Sequence, residues 1–115
     1  MSLLETISER LGDCIVAAWI DTRTGRVIEQ LTPDPRLSDS PRAADFVASA
    51  LDAAVEVMRS RERPPRMVLL SAHHVHIVQR AARDAHRVLV VVCERSPNLG
   101  LAVSVVRALT ESEGA

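Results

Sequence analysis

The chain has very few aromatic residues: phenylalanine and tryptophan occur once each and tyrosine is absent from its 115 residues. Proteins that bind single-stranded nucleic acids without sequence preference stack the bases on aromatic side chains. Lysine is also absent, and fourteen arginines nearly balance fifteen acidic residues, so the net charge is −1. We therefore expect no nucleic-acid partner.

Glycine is scarce as well, with four residues at positions 12, 25, 100 and 114. Neither G-x-x-x-x-G-K nor G-x-G-x-x-G can be written through these positions. In both motifs the glycines allow the backbone to approach and cradle phosphate groups. We therefore expect that the chain is neither a P-loop GTPase nor a dinucleotide-binding protein, and we expect no cofactor.

The two cysteines, Cys14 and Cys93, lie inside apolar runs and not at the loop spacings of a disulfide framework. They are predicted to be buried free thiols, neighbours on adjacent central strands, in a reduced cytoplasmic protein. The apolar runs fall well short of the ~18 residues that suggest a membrane-spanning helix, so no membrane insertion is expected. The N-terminal segment carries acidic residues and lacks a long apolar core, which argues against a signal peptide.

The segment 41–61 is unusually apolar for a surface helix. Its polar residues recur at spacings of four and three, which places them in one narrow stripe: Asp45, Ser49, Asp52, Glu56 and Arg59. A surface helix usually buries one apolar stripe and exposes the opposite face. Here the apolar surface covers about two thirds of the circumference, at ~100° of rotation per residue. We expect one part of it to pack on the chain's own sheet and another part on a second molecule.

The remaining pattern predicts two further helices and five strands. The strands are expected at 14–21, 26–31, 66–71, 75–81 and 86–93. The first and last of these are apolar on both faces, which is typical of central strands covered on both sides, so they should be neighbours. The further helices are expected at 2–11, capped by Ser2 with Glu5, and at 98–110, with an inward-facing set of Leu99, Leu101, Ala102, Val105, Val106 and Leu109.

Turn and cap residues separate these elements. Residues 21–25 form a turn in which Gly25 is free to adopt positive φ. The loop 32–40 ends in Ser40 as a helix cap with Pro41 after it, Pro64 and Pro65 end the long helix, and Ser96 and Pro97 begin the last one. The element order is α-β-β-α-β-β-β-α. It predicts one α/β (α+β) domain over residues 1–115, a five-stranded antiparallel sheet sandwiched by helices.

Few residues suggest chemistry. His73, His74 and His76 are the best metal candidates, and His74 and His76 could share one face of a strand. No carboxylate or cysteine lies nearby in sequence to complete a ligand shell, so a solvated turn is favoured and no metal site is assigned. The serines and histidines show neither a nucleophile elbow nor a triad spacing, so no catalytic residue is assigned.

A group of arginines near the end of the long helix could bind an anionic partner, although a solvated helix end is the simpler explanation. The group consists of Arg59, Arg61, Arg63 and Arg66.

Four segments, taken in order, resemble the Roadblock/LC7 family of small dimeric proteins. CIVAAWIDTRTGRVIEQ is similar to the family's first hairpin, in which a hydrophobic strand ends in Asp before a Gly turn, and the Ala-rich helix from Pro41 is similar to its central dimer helix. VLLSAHHVHIVQRA resembles the next hairpin, although its turn departs from the acidic or Gly-containing turns of the family. VLVVVCERSPNLGLAVSVVRAL resembles the closing strand and helix. The resemblance covers residues 3–110 and implies the profilin-like and longin-like architecture.

The resemblance implies a homodimer in which the long helices pack antiparallel and the third strands join edge to edge. The interface is assigned on that basis to Phe46, Ala50, Ala53, Val57, Met67 and Leu69. Family members regulate or scaffold small Ras-like GTPases, so the implied function is a noncatalytic regulator or scaffold that modulates the nucleotide cycle of such a partner. The alternatives are a structural adaptor that assembles signalling or motility proteins without acting on nucleotide, and a small-molecule or metal sensor near the histidines.

Overall fold

A computed structural model of the chain describes residues 2–59, 66–84, 86–95 and 98–112. The helices within these residues are α1 (Leu3–Arg10), α2 (Pro35–Ser38), α3 (Arg42–Arg59) and α4 (Leu99–Ser112), and the strands are β1 (Cys14–Asp21), β2 (Arg26–Leu31), β3 (Arg66–Leu70), β4 (His74–Arg80) and β5 (Arg87–Glu94). The strands form one antiparallel sheet in the order β2-β1-β5-β4-β3. The predicted fold class is confirmed, and so is the pairing of the first strand with the last.

The sheet separates two apolar layers. On one face, α1 and α4 cover a core that includes Ile7, Trp19 and Leu89. On the other face, α3 covers a core that includes Val16 and Val90. Since β1 and β5 contribute buried side chains to both layers, their sequences are apolar at successive positions, as predicted for central strands.

A β-bulge in β1 changes which of its residues face each of the two layers. The pairing of β1 with β5 shifts register between Cys14 and Val16. As a result, Ile15 and Val16 both belong to the α3 layer, whereas Cys14 and Ala17 belong to the α1/α4 layer.

Local signals define the ends of several elements. The Ser2 side chain caps α1 by accepting a hydrogen bond from the Glu5 backbone N–H at 3.2 Å, as predicted. The turn between β1 and β2 has Gly25 at φ 69°, a left-handed conformation that suits glycine. Ser40 Oγ accepts from the Arg42 backbone N–H at 3.2 Å, so the predicted cap of the long helix is confirmed.

Two expectations differ from the structure. The loop 32–40 contains the short helix α2, because the Asp34 side chain accepts from the Arg36 backbone N–H at 2.9 Å and Pro35 occupies the first helical position. The prediction that Leu101 faces inward is wrong, since its side chain is 62% exposed. Leu101 lies about 140° around α4 from the buried Val106.

Some predicted positions lie outside the described residues: Arg61, Pro64, Pro65, Ser96 and Pro97. None of the described helices has the length and apolar character needed to cross a membrane.

Candidate functional site

Strand β3 is an apolar edge of the sheet. It pairs with β4 along its length, and within the described residues no strand pairs with its other side. Met67, Val68 and Leu69 are half-buried, and Leu70 is 57% exposed. The other edge, β2, exposes Arg26, Glu29 and Gln30 as well as Ile28. Charged edge strands resist pairing with another chain, so β3 is the edge suited to it.

A shallow groove of about 220 Å³, open to solvent, lies between α3 and the sheet edge. Ser49, Asp52 and Glu56 line it from α3, and Leu69 and Leu70 line it from β3. The polar stripe predicted for the long helix therefore borders this groove and does not simply face open solvent. Its position beside the free edge of the apolar strand β3 makes the groove the main candidate for a functional surface.

A side-chain hydrogen bond at the base of the groove joins α3 to the sheet. It connects Ser49 Oγ and His76 Nε2, and the His76 side chain is largely buried. Burial and the nearby charge of His74 lower the pKa of His76, while a hydrogen bond with the Leu69 backbone opposes this shift. The neutral imidazole is therefore favoured in the folded protein.

This contact was not predicted, because the sequence around the histidines is typical of a solvated turn. His74 in fact begins β4, and its ring packs edge-on against Phe46 with 5.3 Å between ring centroids. His74 and His76 do share one face of the strand, but that face lies under α3. Side chains alternate along β4, so His76 lies on the same face as the buried Val78. This alternation is the sequence feature that could have predicted the contact with α3. No group of three or more potential metal ligands occurs in the described part of the chain.

The six residues assigned to a dimer interface occupy two environments. Ala50, Ala53 and Val57 are at most 3% exposed and pack on the sheet, so within this chain they hold α3 in place. The other three, Phe46, Met67 and Leu69, are half-buried and pack against the same apolar layer, and Leu69 also lines the groove.

The exposed apolar residues of α3 lie on a different flank. Val55 and Met58 are 39% and 48% exposed. Met58 is about 180° around the helix from Ser49, away from the groove. This flank was not among the residues assigned from the sequence. The expectation that part of α3 packs on the sheet is confirmed, and apolar surface remains outside that contact.

The four arginines proposed as partner contacts are only partly described. Arg59 is exposed at the end of α3, and Arg66 Nε donates to Gln79 Oε1 at 2.9 Å. Arg61 and Arg63 lie outside the described residues. A joint role for the four arginines therefore stays a prediction.

The cysteines are neighbours on the central strands, since Cys14 is the register partner of Cys93. Both are buried free thiols, as predicted. Contact with the Cys14 thiol and burial both raise the pKa of Cys93, which favours the unreactive thiol form.

No protein-family model matches the chain, and no curated protein matches it. Solved structures do match. MglC from Myxococcus xanthus aligns with a TM-score of 0.69 at 15% identity, over 96% of this chain and 92% of that one. A Roadblock/LC7 domain from Streptomyces avermitilis aligns with a TM-score of 0.63 at 16% identity, over 96% and 90%. The gliding protein MglB from Thermus thermophilus aligns with a TM-score of 0.54 at 22% identity, over 96% and 87%. At these identities the similarity shows a shared fold.

Proposed function

Starting from the Roadblock/LC7 fold of this chain, we propose that it is a noncatalytic homodimeric regulator or scaffold of the cytoplasm that binds a small Ras-like GTPase and modulates its nucleotide cycle. The observation that carries the proposal is β3, an apolar edge strand beside the α3 groove. The choice of a small GTPase as the partner rests on the resemblance to the Roadblock/LC7 family.

The dimer forms when two copies of β3 pair antiparallel about a two-fold axis perpendicular to the sheet. This pairing satisfies the free backbone groups of the edge and covers Leu70, together with the half-buried Met67 and Leu69, in each copy. A perpendicular two-fold axis keeps both α3 helices on the same side of the continuous sheet. The two grooves then face each other across the axis.

The partner binds the outer α3 surface, which the dimer presents in two copies. Val55 and Met58 remain exposed after β3 pairs, because they lie on the flank away from the groove. Because the two grooves face each other, the two copies of this flank face outward, and each is an exposed apolar surface of the kind that marks protein interaction sites. The chain has no phosphate-binding loop, so the nucleotide belongs to the partner.

The test is capture of a Ras-like GTPase from the same organism, loaded with GDP or with a GTP analogue, followed by its hydrolysis and exchange rates. Met58→Glu should reduce capture at least roughly tenfold, because it places a charge in a desolvated contact. Leu101→Glu is the matched control, since Leu101 is similarly exposed but belongs to α4 on the opposite face. Capture without any change in either rate supports the adaptor instead. Equal losses in both variants contradict the assigned surface.

A further inference from the structure

One end of the sheet gathers arginines that are far apart in the sequence. At this end β1 and β4 finish, while β2, β3 and β5 begin. The register places Arg26 and Arg87 on either side of Asp21. Arg80 ends β4, and Arg66 begins β3 opposite Gln79.

Helix α3 contributes to the same end. Phe46 contacts His74 and Ser49 contacts His76, so α3 runs in the direction of β4. Its last residue, Arg59, therefore lies where β4 finishes. The turns after β1 and β4 add two more arginines. The described members of this arginine end are Arg23, Arg26, Arg59, Arg66, Arg80, Arg83 and Arg87.

Few carboxylates balance these charges. The described carboxylates at this end are Asp21 and Asp84 in the strand ends and turns, and Glu56 one turn before Arg59 in α3. Asp21 pairs with Arg23 at 3.6 Å, and the Asp84 side chain accepts from the His86 backbone N–H at 2.9 Å. A hydrogen bond from the Arg23 backbone, with the Arg23 side chain beside it, lowers the pKa of Asp21. With seven described arginines against three carboxylates the end has a net positive charge, although the whole chain carries a net charge of −1.

Several of these guanidinium groups are available to a partner. None of the ion pairs among the described residues involves Arg26, Arg83 or Arg87, and the first two side chains are exposed. Arg87 is half-buried: its guanidinium carbon lies 4.7 Å from the centre of the Trp19 ring, which restricts its orientation, and its Nε atom is buried. Guanidinium groups bind carboxylates through paired hydrogen bonds, and preorganised ones lose less entropy when they do so.

We propose that the arginine end, which adjoins the outer α3 surface at Arg59, is a docking surface for an acidic protein segment. The choice of a protein segment over an anionic membrane rests on the proposed dimer. Antiparallel pairing of β3 points the two arginine ends in opposite directions along the sheet. A flat bilayer reaches only one of them, whereas two separate segments occupy both.

The experiment measures binding of a fluorescent poly-glutamate peptide to the full chain by anisotropy, with a poly-glutamine peptide of equal length as the uncharged probe. The double variant Arg26→Gln with Arg83→Gln should weaken poly-glutamate binding about 3- to 10-fold, because exposed charge pairs contribute modestly. The control double variant is Arg10→Gln with Arg36→Gln, which removes the same charge near the opposite end of the sheet and should leave binding within about twofold. Binding should fall as salt rises from about 0.05 M to about 0.5 M.

Three results overturn the proposal: no binding of poly-glutamate by the wild type at low salt, an equal loss in the control variant, or tighter binding of phosphatidylcholine vesicles that contain phosphatidylserine. Light scattering on the same samples keeps this test apart from that of the proposed function. Monomeric wild type with the expected peptide selectivity supports the docking surface while the proposed dimer fails. A dimeric wild type that does not bind poly-glutamate supports the proposed dimer and overturns the docking surface.

Discussion

Replacing Leu70 by Ser should dissociate the proposed dimer without harming the fold of the protomer. Leu70 is the last residue of β3 and is 57% exposed in the single chain, so little intramolecular packing depends on it. In an antiparallel pair of edge strands, its side chain becomes covered by cross-strand neighbours of the second copy. The substitution therefore acts mainly on association.

The size of the effect follows from the exposed fraction. Complete burial of a leucine side chain is worth about 1.5–3 kcal/mol, so burial of the exposed part of Leu70 contributes about 1–1.5 kcal/mol. A two-fold axis repeats this contact in both copies. The total of about 2–3 kcal/mol corresponds to a dimer Kd raised roughly 30- to 150-fold.

Sedimentation equilibrium over a range of concentrations measures that Kd directly. The wild type at micromolar concentration should have twice the 12.6 kDa mass of one chain. Leu101→Ser is the matched control, because Leu101 is 62% exposed but lies on α4, which covers the opposite face from α3. A monomeric wild type would refute the dimer. A stable dimer that Leu70→Ser leaves unaffected would show that β3 is not its interface.

The other predictions concern thiols, pH and arginines. Cys14 and Cys93 should label slowly in the native protein and rapidly in denaturant, and fast native labelling would contradict their burial. Because the folded-state pKa of His76 is lowered, the unfolded state binds more protons as the pH falls. The free energy of unfolding should therefore stay constant above about pH 6.5 and decrease at lower pH, by at most about 1.4 kcal/mol per pH unit. Denaturant titrations should show that His76→Gln reduces this loss. Arg59→Ala and Arg66→Ala should each weaken GTPase binding by roughly 1 kcal/mol or less; normal binding with a hydrolysis rate lowered ~10³-fold would instead identify a catalytic arginine.

The strands were predictable because each carries its own local signal. β1 and β2 have the predicted boundaries, since Gly25 and its polar neighbours mark the turn between them. β1 and β5 are apolar on both faces, and only the centre of a sheet covered on both sides can bury such strands completely. The order of the whole sheet then follows from placing these two strands side by side.

Features that depend on tertiary packing were harder to predict. The bulge after Cys14 cannot be recognised in the sequence of β1, because both faces of the strand are apolar there and either face can bury the extra residue. Leu101 belongs to a helix with apolar residues on several sides, so its sequence pattern does not specify its rotation on the sheet. The Asp34-Pro35 pair does signal a helix start, but a helix of four residues is too short to show a periodic pattern that separates it from a loop.

The groove was beyond prediction for a related physical reason. A polar stripe on a helix normally faces water, and Asp52 and Glu56 still reach the open side of the groove. Ser49 belongs to the same stripe, yet it bonds His76 on the sheet, because β3 ends the sheet close to α3 and leaves one side of the helix only partly covered. If another strand continued the sheet beyond β3, the same stripe would lie above protein and not beside water. The sequence pattern of α3 is compatible with both surroundings, so the predicted edge position of β3 did not by itself show that the stripe borders a groove.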